Sequence, residues 1–121
     1  MVRRRRELAA SYHELLEGVP GLHPVRDPAF GQGNYQSFWV RLDEEFPDGR
    51  DAALARLAAA GVSARRGIMA AHLEPAYRGV VHGGLPVTER LTRDSLILPL
   101  FHTMDAGQQR RVVDALLEPV R

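Results

Sequence analysis

The chain has 121 residues, 45% of them hydrophobic and 26% charged, with a formal charge of +1. That balance suits one soluble globular domain, residues 1–121, and argues against a dedicated nucleic-acid binder, whose footprint is a strong basic excess. With no cysteine there is neither a disulfide framework nor a thiolate metal site. No apolar run approaches the ~20 residues needed to cross a bilayer. The arginine-rich start has no apolar stretch behind it, so the default expectation is a cytoplasmic protein without a membrane partner.

In chain order, residues 3–17 read as a helix, because Leu8, Tyr12, Leu15 and Leu16 form one apolar stripe that Gly18 and Pro20 end. Arg3, Arg4, Arg5 and Arg6 lead into it without a capping residue, although cations oppose the dipole there. They read as the solvated start of a helix, and the start reads as cut from a longer one. Residues 19–34, rich in Pro and Gly, read as a loop. Residues 35–42, YQSFWVRL, have strand composition, with Phe38 and Val40 on one side and Trp39 and Arg41 on the other.

A turn at 46–51 precedes a helix over 48–60, with Asp48 as N-cap and Gly61 as the stop. A strand over 62–65, an irregular stretch over 67–84 and a helix over 86–93 follow, the last opened by Pro86. Residues 95–100 read as a buried strand. Asp105 and Gln108 form a capping box for a helix over 105–118, whose inner face is Val112, Val113, Leu116 and Leu117. The order predicts an α+β fold, or an open α/β sandwich, with a small sheet covered by helices.

Self-contained chemistry is hard to find. The GQGNY turn at 31–35 lacks the helix that would make it a phosphate cradle. Ser37, Ser63 and Ser95 lie outside any Gly-x-Ser-x-Gly elbow. The histidines at 13, 23, 72, 82 and 102 are scattered without zinc-ligand spacing, and His13 and His23 read as surface residues. No catalytic or metal-binding residue is assigned. All 16 basic residues are arginine. Without a lysine amine the chain cannot form a Schiff base with an aldehyde cofactor.

Five segments, in order, carry a resemblance: RRRELAASYHELL (4–16), NYQSFWVRL (34–42), RDAALARLAAAGVSARRGI (50–68), HLEPAYRG (72–79) and LPVTERLTRDSLILPLFHTM (85–104). Together they are similar to the C-terminal (small) domain of DegT-type pyridoxal-phosphate aminotransferases, which aminate keto-sugars attached to nucleotides. The resemblance implies the small domain of a fold-type I aminotransferase, with a mostly antiparallel sheet of three to four strands. It implies that the large domain, which carries the cofactor contacts and the Schiff-base lysine, is missing as a partner. Pyridoxal phosphate would then belong to the full-length parent, a homodimer, with none bound and no activity expected for this chain alone.

The same resemblance places RRGIMAAHLEPAYRG (65–79) at the mouth of the active site. Arginine suits a diphosphate because its planar fork donates two parallel hydrogen bonds. Arg65 or Arg66 is the candidate diphosphate contact, since strand alternation keeps both from pointing inward, and His72 is the candidate facing the cleft. Tyr35 and Asn34 are further substrate-side candidates. The plain alternatives are surface ion pairs for the arginines, a locally satisfied His72, and packing roles for Tyr35 and Tyr77. Three functional readings stay open: amino transfer from glutamate to a keto-sugar nucleotide, a free-standing nucleotide- or protein-binding module, and a family member acting on a cyclitol or an aminobenzoate precursor.

Overall fold

The computed structural model describes residues 1–67, 69–80 and 83–118. The elements are α1 (Val2–Leu15), β1 (Leu22–Pro24), β2 (Phe38–Leu42), α2 (Gly49–Ala59), β3 (Arg65–Arg66), α3 (Pro86–Asp94), β4 (Ser95–Leu98) and α4 (Ala106–Leu117). Two single 3-10 turns, Ala71–Leu73 and Pro75–Tyr77, lie between β3 and α3. The strands form one antiparallel sheet in the order β1-β2-β4-β3. The fold is α+β. Among the described residues no helix is long and apolar enough to cross a membrane.

Alternation along β2 divides the sheet into a dry and a wetter face. Phe38, Val40 and Leu42 are buried while Trp39 and Arg41 are half-buried, as their spacing predicts. Phe38 and Val40 pair across the ladder with Leu98 and Leu96. Against these pack Leu8 and Tyr12 of α1, Ala53 and Leu57 of α2, and Val112, Val113, Leu116 and Leu117 of α4, in one continuous core. Burying each large side chain contributes about 1.5–3 kcal/mol. The phenol of Tyr12 lies 4.8 Å from the Phe38 ring and donates to the Pro99 carbonyl at 2.7 Å. Burial pushes its pKa well above the usual tyrosine range, so it remains a donor. Gln109, also buried, donates from α4 to the Leu8 carbonyl of α1 at 2.8 Å.

Several boundaries differ from expectation for local reasons. β1 lies inside the stretch read as loop; its three residues are too few for an alternation to show. The strand expected from 35 starts at 38, because Tyr35 takes a left-handed backbone, φ 51°. Asp48 sits at the N-terminus of α2, but φ is 68° and its side chain makes no capping hydrogen bond; its carboxylate faces Arg56 instead. The strand expected over 62–65 is displaced to Arg65–Arg66. β4 ends at Leu98, before Pro99, which has no N–H for the ladder. The capping box of α4 is present, with Asp105 and Gln108 each accepting from the other's backbone N–H, at 2.8 and 2.9 Å.

The arginine run is not simply solvated. Arg4 donates to the Met104 and His102 carbonyls, Arg5 to those of Tyr35 and Gln36, and Arg6 to that of Gly33. Three consecutive side chains thus leave α1 in different directions and fasten two loops to the helix.

Candidate functional site

The residues singled out in the sequence fall in three places. Arg65 and Arg66 form the edge strand β3, and both are exposed. Arg65 pairs with Ile97 and Arg66 with Leu96, so their side chains leave from opposite faces of the sheet. Arg65 shares its face with Trp39, because Ile97 also pairs with Trp39. Gly67 donates to the Ser95 carbonyl and lies buried beneath the Trp39 ring. A methyl group at position 67 would meet Trp39 Cζ3 at 2.7 Å.

Asn34 and Tyr35 line a half-open cleft of about 260 Å³ together with Arg26, Asp27, Gln36 and Trp39. The loop forming it is held from within and from behind. Asp27 accepts from the Gly33 N–H at 2.9 Å and Asn34 from the Gln36 N–H at 3.2 Å. Arg5 and Arg6 hold the carbonyls of Gly33, Tyr35 and Gln36. Tyr35 stacks on Phe38 at 6.3 Å and meets the edge of His13. Its phenol pKa is raised, first by burial and then by the nearby Asp27 carboxylate, which also hydrogen-bonds it. His13, expected at the surface, is half-buried; its Nδ1 is buried without a hydrogen-bond partner among the described residues. Burial lowers its pKa, Arg26 lowers it further and Asp27 opposes them.

His72 lies in a second cleft, of about 350 Å³, lined by Met69, Tyr77, Val80, Leu85 and Thr88. Its side chain is only 10% exposed, and Nε2 is 2.9 Å from Glu89 Oε1 of α3. Two segments of the resemblance, HLEPAYRG and LPVTERL, therefore meet through this pair. Tyr77 is half-exposed at the cleft wall and its ring is not part of the core. His82 lies outside the described residues.

Asp27, Arg26 and Glu89 were not singled out in the sequence. Glu89 was legible as the acid of LPVTE, but no pattern paired it with His72. Asp27 and Arg26 sit in a loop whose shape depends on distant arginines of α1. Among the described residues no group of three or more His, Cys, Asp or Glu side chains could hold a metal ion.

The model of the DegT/DnrJ/EryC1/StrS aminotransferase family matches residues 1–117. The chain belongs to this family. It is 31% identical, over 98% of its length, to the dTDP-4-dehydro-2,3,6-trideoxy-D-glucose 4-aminotransferase of Saccharopolyspora spinosa, and it spans 30% of that protein. It is 33% identical over 95% of its length to the dTDP-3-amino-3,4,6-trideoxy-alpha-D-glucose transaminase of Streptomyces venezuelae, again spanning 30%. The crystal structure of DesI in the presence of its TDP-sugar product superposes with a TM-score of 0.84 at 35% identity, covering 96% of this chain and 30% of that one. The chain thus spans less than a third of the relatives it matches.

Proposed function

We propose that this chain is the C-terminal small domain of an aminotransferase that transfers an amino group to a keto-sugar carried on a nucleoside diphosphate. The carrying observation is that nearly the whole chain aligns with 30% of dTDP-sugar aminotransferases while containing no lysine. Enzymes of this family use pyridoxal phosphate, which supplies an aldehyde that accepts and passes on the amino group. The residues present do not fit its covalent anchor, because no side-chain amine is available for an imine. No step through the cofactor is assigned to this chain.

What this domain supplies is a substrate wall. Arg65 is exposed on the face that carries Trp39, where a guanidinium can fork onto a diphosphate. Arg66, on the other face, is the second candidate. Glu89 fixes the ring of His72 at the next cleft, leaving a histidine in fixed orientation beside the substrate. Exposed Met69, Tyr77, Val80 and Leu85 line that cleft, and an apolar surface of this kind fits contact with a further domain. We assign it to the large domain of the same polypeptide, within a homodimer.

The test is to express the chain alone and joined to a lysine-bearing large domain of this family. Only the joined form is expected to bind pyridoxal phosphate with an imine absorbance and to aminate a keto-sugar nucleotide. In the joined form, Arg65→Ala or Arg66→Ala is expected to weaken nucleotide-sugar binding about tenfold, roughly 1.4 kcal/mol. Turnover by the 121-residue chain unaided, or no imine in the joined form, would falsify the assignment.

A further inference from the structure

We infer that the cleft between the 25–37 loop and Trp39 is the pocket for the sugar ring of the nucleotide-sugar, separate from the diphosphate contact at β3. The inference rests on the function proposed above and specifies which part of the substrate each surface takes.

Size comes first. At about 260 Å³ the cleft falls just below the ~300–1,000 Å³ of pockets that take a whole drug-sized ligand. It can hold one ring and not a complete nucleotide-sugar.

Chemistry comes second. The two charged side chains of the lining, Arg26 and Asp27, have opposite sign, so an anionic group gains little net attraction there. A neutral ring bearing several hydroxyls needs both donors and acceptors, and Arg26, Asn34, Gln36 and Asp27 provide them. Such directed pairing also gives discrimination, because an analogue lacking a hydroxyl leaves a donor or acceptor of the cleft without its partner. Trp39, the chain's one tryptophan, adds an aromatic surface for the apolar edge of a ring.

Rigidity comes third. Tyr35 holds a left-handed backbone that a residue with a side chain rarely adopts, and such positions persist only where the surroundings over-determine them. Here the surroundings are Arg5, Arg6 and Asp27, bonded to the loop on both sides of Tyr35. A preordered loop spares the ligand the cost of ordering it.

Adjacency completes the case. A sugar and its diphosphate are directly bonded, so their sites must be neighbours. Trp39 lines the cleft, lies over Gly67, and shares a cross-strand row with Arg65 two strands away, about 10 Å at the usual strand spacing.

The experiment measures Kd for dTDP-glucose and for dTDP, by calorimetry, on the full-length protein and on Arg26→Ala and Trp39→Phe, with thermal melts to confirm folding. Arg26 is exposed at the rim, so its truncation leaves the core untouched. The expected result is at least a fivefold weaker affinity of Arg26→Ala for dTDP-glucose with dTDP unchanged, and a smaller selective loss for Trp39→Phe. Equal loss for both ligands would overturn the inference, because the cleft would then hold the nucleotide. No loss for either, with wild-type binding intact, also overturns it but leaves the proposed function standing. If the wild-type protein binds neither ligand, the nucleotide-sugar reading itself fails.

Discussion

The guanidinium of Arg5 donates to two successive backbone carbonyls, Tyr35 at 3.2 Å and Gln36 at 2.8 Å. Helix α1 thereby fixes the loop that carries the left-handed Tyr35 and opens into β2. Hydrogen bonds from a charged donor contribute about 1.5–3 kcal/mol each at most, and less where water competes. Arg5→Ala is expected to lower stability by about 1–2 kcal/mol and to raise amide exchange over residues 33–37 ahead of global unfolding. Arg5→Lys should recover little, because an ammonium lacks the planar fork that spans two carbonyls. Exchange protection unchanged in Arg5→Ala would refute the tether.

Gly67 is the second point at which backbone and side chain compete for space. It sits under Trp39 and against Ser95, whose hydroxyl donates to the Leu91 carbonyl at the end of α3. A Cβ at this position displaces either the indole or the hydroxyl. Gly67→Ala is expected to cost about 1–3 kcal/mol, the range for overpacked sites. Removing the hydroxyl as well, in Gly67→Ala with Ser95→Ala, should recover part of that loss, a non-additivity that denaturant titration of the four proteins measures. Strict additivity would show that the two positions do not share the space.

How far such relationships were legible depends on their range. The apolar stripe of α1, the alternation of β2, the inner face of α4 and the Asp105–Gln108 box are local patterns, and each recurs in the structure. The resemblance carried the family. β1 was invisible because three residues, one of them Pro24, carry too little periodicity. The arginine run read as solvent-facing because charge patterning holds no information on loops 27–100 residues away in sequence, which Arg4, Arg5 and Arg6 in fact fasten. The candidate site divides the same way. Arg65, Arg66, His72, Tyr35 and Asn34 could be named from composition and resemblance. The partners that shape their surroundings, Asp27, Glu89 and Gly67, arrive through tertiary contacts.

Tyr12 offers a test of the polar links through the core. Its hydroxyl donates to the Pro99 carbonyl, at the end of β4, from a side chain with no exposed surface. Tyr12→Phe keeps the ring against Phe38 and removes the donor alone. The expected loss is about 0.5–1.5 kcal/mol, the net worth of one hydrogen bond to a half-buried carbonyl, with no change in far-UV circular dichroism. A melt indistinguishable from wild type would mean that the carbonyl finds another donor.

His13 sets an acid-side dependence that is separable from carboxylate titration. Its pKa is lowered in the folded chain by burial against Phe38 and Tyr35, and by Arg26, with Asp27 in partial opposition. The unfolded chain, with histidine near its ordinary value of ~6.5, therefore binds the proton more readily than the folded one. Stability from this source is complete above pH ~6.5 and is lost as pH falls through the lowered folded value. Asp43, held down first by its hydrogen bond with His23 and then by the Glu45 N–H, contributes in the same direction but only below the usual carboxylate range. His13→Phe keeps an aromatic ring at the site and removes both the titration and the unpartnered Nδ1. The variant should be at least as stable as wild type at neutral pH and should hold its Tm between about pH 7 and 5, where the wild-type Tm declines. Parallel Tm-against-pH curves for the two proteins would assign the decline to another group.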